Sequence, residues 1–219
     1  MGIDGIASLS QAIIDGKHLD SERLTSELLA SGLGPGEILE KGLLPGMDVV
    51  GRRFKNNEIF LPNVLVAARA MKMSMKLLEP LLAGSGHQPK GKVLVGTVKG
   101  DIHDIGKNLV SVMLQGSGYT VVDIGIDCTT DKFLTGVAQH HPDIVGLSAM
   151  LTTTMTYMKP VIEHLRANGV TLPIIVGGAP ISKEFADEIH ADGSARNAMD
   201  AVEMVKRIFS SGHESPRQR

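Results

Sequence analysis

The chain has 219 residues, of which 42% are hydrophobic and 21% are charged, and its formal net charge is −2. This composition fits one large or two modest globular domains, and the near-neutral charge excludes the basic surface that nucleic-acid binding requires. The longest apolar runs fall short of the roughly 18 residues needed to span a membrane, and the single cysteine, Cys128, excludes an internal disulfide and favours a reducing, cytoplasmic compartment.

The first part of the chain, residues 1–87, predicts a helical bundle. Apolar residues recur there at three- and four-residue spacing, which is typical of amphipathic helices. Four such runs are present, at residues 8–16, 21–32, 36–54 and 61–82. The polar stretch at 83–92 is rich in glycine, proline and serine and predicts a linker to a second domain, residues 91–219.

The second part alternates short apolar runs with helical patterns. The predicted strands lie at 92–98, 120–125, 143–149 and 172–178. The predicted helices lie at 105–116, 130–140, 154–168, 182–189 and 197–210. The predicted strands are continuous apolar runs rather than alternating ones, and helices join them. This pattern predicts an α/β fold with a doubly wound parallel sheet of the Rossmann-like (flavodoxin-like) kind, which follows the helical bundle. Ligands of such sheets bind beyond the carboxyl ends of the strands.

Ionisable residues crowd the loop after the first predicted strand, which reads Gly-Asp-Ile-His-Asp-Ile-Gly over residues 100–106. His103 follows Asp101 by two positions, so a carboxylate can fix the tautomer of the imidazole and raise its basicity as a metal ligand. A second His, Cys or carboxylate at zinc-like spacing is absent from the sequence. One protein ligand is typical of a metal that a macrocycle already holds.

Three motifs carry a resemblance to a known family. Asp-x-His-x-x-Gly ends at Gly106, Ser-x-Met begins at Ser148 after 41 intervening residues, and Gly177-Gly178 follows Met150 after 26 intervening residues. This pattern is similar to that of the cobalamin-binding domains of methionine synthase, carbon-skeleton mutases and the corrinoid proteins of anaerobic methyltransferase systems, where Leu usually stands in place of Met150. Residues 43–71 also resemble the helical module that precedes this domain in methionine synthase.

The resemblance implies a cobalamin cofactor, as methylcobalamin or in its Co(I) and Co(II) states, bound base-off and His-on. The dimethylbenzimidazole of its nucleotide tail would leave cobalt, and His103 would replace it as the lower axial ligand. Asp101 would support His103, and a hydroxyl, for which Thr154 is the candidate, would support Asp101. Asp104 would either contact the cofactor or cap the following helix, and Glu58 would be either a solvated turn residue or a contact above the corrin ring. The cofactor-binding candidates implied in this way are Glu58, Gly100, Asp101, Ile102, His103, Asp104, Ile105, Gly106, Ser148, Met150, Leu151, Thr152, Thr154, Gly177, Gly178, Ala179, Gly193 and Ser194.

The resemblance further implies a protein that carries a methyl group on cobalt and does not turn over substrate alone. Its expected partners are a substrate-specific methyltransferase, a second methyltransferase acting on a thiol or tetrahydrofolate, and a reductive activase. One rival is a cobalamin-dependent light sensor or transcriptional regulator, but the chain has no Trp and no basic recognition helix. A second is the small cobalamin subunit of a mutase, which typically lacks the helical module. A third is a flavodoxin-like phosphate binder, against which the coincidence of three motifs argues.

Overall fold

Two units make up the chain in the computed structural model, which describes residues 2–84 and 88–211. One unit comprises residues 1–88 with 116–118, and the other comprises residues 89–115 with 119–219. The division into independent domains at 1–87 and 91–219 stays a prediction, and residues 85–87 of the predicted linker lie outside the described residues.

The first unit is helical, as the apolar spacing predicts. Its elements are α1 (Gly2–Ile14), α2 (His18–Ala30), α3 (Pro35–Ile38), a π-helical segment (Leu39–Leu43), α4 (Leu44–Lys55) and α5 (Leu61–Gly84). The predicted helix at 36–54 is therefore interrupted. The Leu44 N–H donates to Leu39 O, five residues earlier, and Pro45 has no N–H with which to continue the normal i→i−4 pattern.

Apolar side chains from several helices form the core of the helical unit. Leu9, Leu43 and Leu78, from α1, the π-helical segment and α5, are fully buried. Buried hydroxyls join α2 to α5, since Ser21 Oγ donates to Ala70 O at 3.0 Å. Although α5 runs for 24 residues, neither it nor any other helix in the described ranges is long and apolar enough to cross a membrane.

The second unit is built on a five-stranded parallel sheet with the strand order β2-β1-β3-β4-β5. The strands are β1 (Lys92–Thr97), β2 (Thr120–Asp123), β3 (Ile144–Ser148), β4 (Ile174–Gly177) and β5 (Gly193–Ala195). Strand order reverses at β1, which pairs with β2 on one side and β3 on the other. The loops that follow β1 and β3 therefore flank the topological switch point, where ligands of such sheets bind.

Helices cover the sheet, which confirms the predicted α/β fold class. They are α6 (Ile105–Gln115), α7 (Thr130–His140), α8 (Thr152–Met155), α9 (Met158–Ala167), α10 (Lys183–Glu188) and α11 (Ala198–Ser210). Phe133 of α7 and Leu165 of α9 are buried in one apolar cluster with strand residues such as Leu94 and Val145. Because both faces of the central strands are covered, β1 is buried along nearly its whole length.

Two elements differ from the prediction. The helix predicted at 154–168 is divided into α8 and α9, and Pro160, which has no N–H to donate to Thr156 O, lies in the first turn of α9. The short β5 is absent from the predicted strands, because its three residues, Gly-Ser-Ala, carry almost no apolar signal. It is held instead by parallel pairing with β4, in which Ser194 lies opposite Val176.

Gly178 provides a test of the packing at the carboxyl end of β4. Its φ is +139°, and an added Cβ would lie 1.7 Å from the Ala149 carbonyl oxygen. We expect Gly178→Ala to lower the free energy of unfolding by about 3 kcal/mol or more, as measured by urea denaturation. Gly106→Ala is the control, since an added Cβ at Gly106 meets nothing within 4 Å and stability should change by less than about 1 kcal/mol. Equal stability of the two variants would contradict the described packing.

Candidate functional site

A buried carboxylate lies at the centre of the predicted site. The Asp101 side chain is fully buried on the loop after β1. Its Oδ2 accepts hydrogen bonds from the Met150 N–H at 2.7 Å and from the Thr154 hydroxyl at 2.6 Å. Its Oδ1 accepts one from the His103 N–H at 3.0 Å and lies 2.7 Å from His103 Nδ1. The structure thus brings together four of the predicted site residues from two loops.

Two opposing effects act on the pKa of Asp101. Burial removes water from the carboxylate and by itself raises the pKa. The hydrogen bonds from the Thr154 hydroxyl, the Met150 N–H and His103 stabilise the ionised form and outweigh burial, so the pKa of Asp101 lies well below its ordinary value. Asp101 is therefore a permanent anion at neutral pH and a fixed acceptor for the imidazole.

His103 presents the opposite side of its ring to solvent. Its side chain is 51% exposed, although its partner Asp101 is fully buried. An ionised carboxylate only accepts hydrogen bonds, so we assign the ring hydrogen of the neutral imidazole to Nδ1. Nε2 then carries a lone pair and is free of the ring hydrogen, which is the form in which histidine binds a metal.

The backbone of the loop around His103 is also restrained. The Thr97 hydroxyl, buried in β1, donates to His103 O at 3.0 Å. Asp127, on the loop after β2, accepts from the Gly100 N–H at 2.7 Å through Oδ1. The prediction from sequence missed both residues. Asp127 follows a strand end, as the predicted loops do, and this position in the sequence could have identified it as a candidate site residue.

The second and third predicted loops meet through the sheet. Ser148 ends β3 and pairs in register with Thr97 and with Gly177. The Ala149 N–H donates to Gly177 O at 3.2 Å, and Gly178 follows directly. Leu151 and Thr152 form the start of α8, with both residues exposed, and the exposed Ala179 continues the loop after β4.

The remaining predicted residues lie at three places. Asp104 precedes α6, and its carboxylate accepts from the Asn108 side chain at 3.0 Å. Gly193 and Ser194 lie in β5, the edge strand beside β4. Glu58 belongs to the helical unit, where it occupies an exposed turn after α4 and accepts from the Asn56 side chain at 3.0 Å. Contact between these residues and a cofactor stays a prediction.

Large apolar side chains are exposed on the loops that carry His103 and its neighbours. We call the following five residues the apolar rim: Ile102 (72% exposed), Ile105 (70%), Ile126 (39%), Met150 (49%) and Leu151 (44%). They follow β1, β2 and β3, at one edge of the sheet. Exposed apolar side chains gathered on functional loops indicate a ligand-binding surface.

The side chains at this site fit a metal ion that an organic ligand already coordinates. Across residues 2–84 and 88–211, no group of three His, Cys, Asp or Glu side chains is placed to hold a metal ion. A bare ion would need about four such ligands. A single imidazole with a fixed tautomer, on a sheet end that also exposes apolar side chains, suits a macrocycle that supplies the other ligands and needs one axial bond.

Comparison with known proteins agrees with this site. Residues 91–203 and residues 6–79 match two families, each described as a B12 binding domain. The chain is 42% identical over 206 residues to a corrinoid protein of Desulfitobacterium hafniense, covering 92% of this chain and 95% of the relative. It is 41% identical over 209 residues to the trimethylamine corrinoid protein of Methanosarcina barkeri, covering 94% and 96%.

A solved structure shows the same fold. The methanol:cobalamin methyltransferase complex MtaBC of Methanosarcina barkeri contains a chain that is 30% identical to this one, with a TM-score of 0.89. The likeness covers 99% of this chain and 83% of that chain. The predicted resemblance to the cobalamin-binding corrinoid proteins is therefore confirmed.

Thr154 allows the hydrogen-bond network of Asp101 to be tested in the protein without cofactor. Thr154→Val removes one donor from a buried carboxylate, so we expect the free energy of unfolding to fall by about 1–3 kcal/mol. Thr154→Ser keeps a hydroxyl and should lose less than half of that amount. Urea denaturation at neutral pH measures both changes, and equal losses in the two variants would contradict the role of the hydroxyl.

Proposed function

Because the chain belongs to the B12-binding corrinoid proteins of methylamine and methanol methyltransferase systems, we propose that it carries a methyl group on a corrinoid that His103 binds through Nε2. When bound, the corrinoid supplies a cobalt centre that takes up and gives up the methyl group. The observation that carries the His103 assignment is its half-exposed imidazole, held at Nδ1 by the buried Asp101. All residues in this arrangement belong to the α/β unit.

Asp101 gives His103 its two properties as a ligand. The carboxylate accepts the Nδ1 hydrogen, which fixes the tautomer and leaves Nε2 able to bind. The same carboxylate holds the orientation of the ring, and hydrogen bonds from Met150 and Thr154 hold the carboxylate in place. Asp101 and Thr154 therefore prepare the site for binding before the cofactor arrives.

The other loops would bind the remainder of the cofactor. We infer that Gly100, Ile102, Asp104, Ile105 and Gly106 would contact the corrin ring, since they flank His103 in sequence and all five are exposed. We infer that the nucleotide tail enters beside Ser148, Thr152, Gly177 and Gly178. We place four further candidates with these residues beside the nucleotide tail: Leu151, Ala179, Gly193 and Ser194. Support comes from the position of Ser148 and Gly177 at the carboxyl ends of β3 and β4, where glycine leaves space beside the backbone, and from the pairing of β5 with β4.

The partners of this chain follow from its proposed role. A substrate-specific methyltransferase would load the methyl group, a second methyltransferase would pass it to a thiol or tetrahydrofolate, and a reductive activase would act on the carrier. The chain would be a non-catalytic subunit of that system. Support comes from the trimethylamine corrinoid protein and the methanol:cobalamin methyltransferase complex, to which the chain is similar.

Substitution of His103 tests the axial bond. We expect wild-type apoprotein mixed with hydroxocobalamin to bind it and to acquire a visible spectrum distinct from that of the free cofactor. His103→Ala should lose that spectral change and bind hydroxocobalamin roughly tenfold more weakly, because the axial bond is gone while the remaining contacts persist. Absorption titration measures both quantities.

A matched control lies at the opposite edge of the same sheet. His140 ends α7, and its carbonyl oxygen accepts from Lys92 Nζ at the start of β1. His140→Ala should therefore bind and absorb like the wild type. If the wild type bound no corrinoid, the proposed function would be wrong, and if His103→Ala retained the wild-type spectrum, the axial ligand would be a different group.

The carrier role is tested by reconstitution. The corrinoid-loaded, reduced protein is mixed with a methyltransferase specific for trimethylamine, dimethylamine or methanol, its substrate, and a thiol-methylating enzyme. We expect methylated thiol only when the carrier and both enzymes are present, because the chain would supply the site for the methyl group and each enzyme would supply the site for its own substrate. Methylated thiol formed without a donor methyltransferase would contradict the carrier role.

A further inference from the structure

The loop that carries Asp101 and His103 is held by a residue from a different strand. We call residues 99–104 the ligand loop. Asp127 Oδ1 accepts from the Gly100 N–H at 2.7 Å, and the Asp127 N–H donates to Asp101 O at 3.1 Å. Asp127 therefore binds the N–H at one end and the carbonyl at the other end of the Gly100–Asp101 dipeptide.

Gly100 makes such a restraint necessary. Its φ is +83°, a region that glycine enters as readily as the usual one, so the chain could rotate there at little cost. Rotation at Gly100 would turn the Asp101 side chain away from its donors and from His103. The Asp101 N–H also donates to Val98 O at 3.1 Å, but that bond fixes only one side of the residue.

The position of Asp127 is itself fixed by the sheet. The Thr97 N–H donates to Gly125 O at 3.0 Å, and the Cys128 N–H donates to Thr97 O at 2.9 Å. Val98 and Cys128 form a parallel bridge, and Cys128 is fully buried. Pairing between the β1 and β2 segments thus continues past both strands and carries Asp127 on a rigid support.

The backbone conformation of Asp127 is typical of turns. Its φ is +49°, a left-handed conformation that Asp, Asn and Gly adopt more readily than other residues. This conformation directs the N–H and the carboxylate of one residue to the same segment of the ligand loop, where both are used.

We propose that Asp127 is a positioning residue that fixes where His103 presents Nε2, acting through the Gly100–Asp101 backbone. The expected effect on the strength of axial binding rests on the proposed function. The positioning of His103 can be tested without the cofactor, because the Asp101–His103 hydrogen bond can be observed in the apoprotein.

Two substitutions separate the hydrogen bond from the backbone conformation. Asp127→Gly accepts a positive φ but removes the acceptor for Gly100. Asp127→Asn accepts the same φ and keeps a carbonyl oxygen at the position of Oδ1. A difference between these two variants therefore reports on the side-chain hydrogen bond, and thermal unfolding verifies that both are folded.

The first measurement uses the apoprotein with 15N-labelled histidine. Long-range 1H–15N spectra report the tautomer of His103 and the hydrogen bond of its Nδ1, with His103→Ala providing the assignment. We expect Asp127→Asn to match the wild type and Asp127→Gly to lose the single tautomer and the downfield Nδ1 hydrogen. Unchanged His103 signals in Asp127→Gly would overturn the proposal.

The second measurement uses the same labelled proteins with cob(II)alamin. Electron paramagnetic resonance shows nitrogen splitting from the axial ligand, and the pattern changes with 15N-labelled histidine only if histidine is bound. We expect about a tenfold loss of affinity and a smaller histidine-bound fraction in Asp127→Gly, with wild-type behaviour in Asp127→Asn. Equal loss in both variants would overturn the proposal, because the amide retains the acceptor.

The two measurements distinguish failure of the inference from failure of the proposed function. If wild-type protein gave no histidine splitting, His103 would not be the axial ligand, and the apoprotein spectra would still decide whether Asp127 positions it. If the wild type and both variants all gave the same histidine splitting and affinity, the axial bond would stand and the positioning role would be wrong.

Discussion

The site depends on one buried negative charge. Asp101 lies out of contact with water, and an ionised carboxylate in such a position is tolerated only when hydrogen-bond donors replace the water it has lost. The structure supplies a hydroxyl from Thr154, backbone N–H groups from Met150 and His103, and the imidazole itself. Because these donors come from the loop after β1 and from the segment that follows β3 into α8, the two segments are fixed relative to each other, and the direction in which the imidazole faces is fixed with them.

The parallel sheet makes this convergence possible. β1 and β3 are adjacent, and the Val98 N–H continues their pairing by donating to Ser148 O at 3.0 Å. The residues that follow each strand are therefore brought together at one edge, although Asp101 and Thr154 are 53 positions apart in the chain. Strand order at the switch point leaves the space between these loops open, since the connections from β1 and β3 lead away in opposite directions.

Much of this arrangement could be predicted from sequence, and the omissions have physical causes. Buried strands such as β1 are continuous apolar runs, and the two-residue spacing of Asp101 and His103 predicts their hydrogen bond. The Met150 N–H carries no signature in sequence, because every residue except proline has such a group and only the tertiary fold selects one.

Local backbone geometry accounts for the other omissions. The role of Asp127 depends on a positive φ and on pairing beyond the ends of the strands, neither of which the residue type determines. The division between α8 and α9, in contrast, could have been predicted from Pro160.

The apolar rim assigns retention and reactivity to different residues. Under the proposed function, a single bond from His103 would be a sensitive attachment for the metal, because the strength of an axial bond depends on the charge of the metal. Removal of the rim side chains from water contributes a favourable free energy that depends on area and has no direction. This free energy therefore does not depend on the charge of the metal. A carrier built in this way would keep its cofactor while the strength of the one coordinate bond varied, and the histidine would adjust the reactivity of the metal.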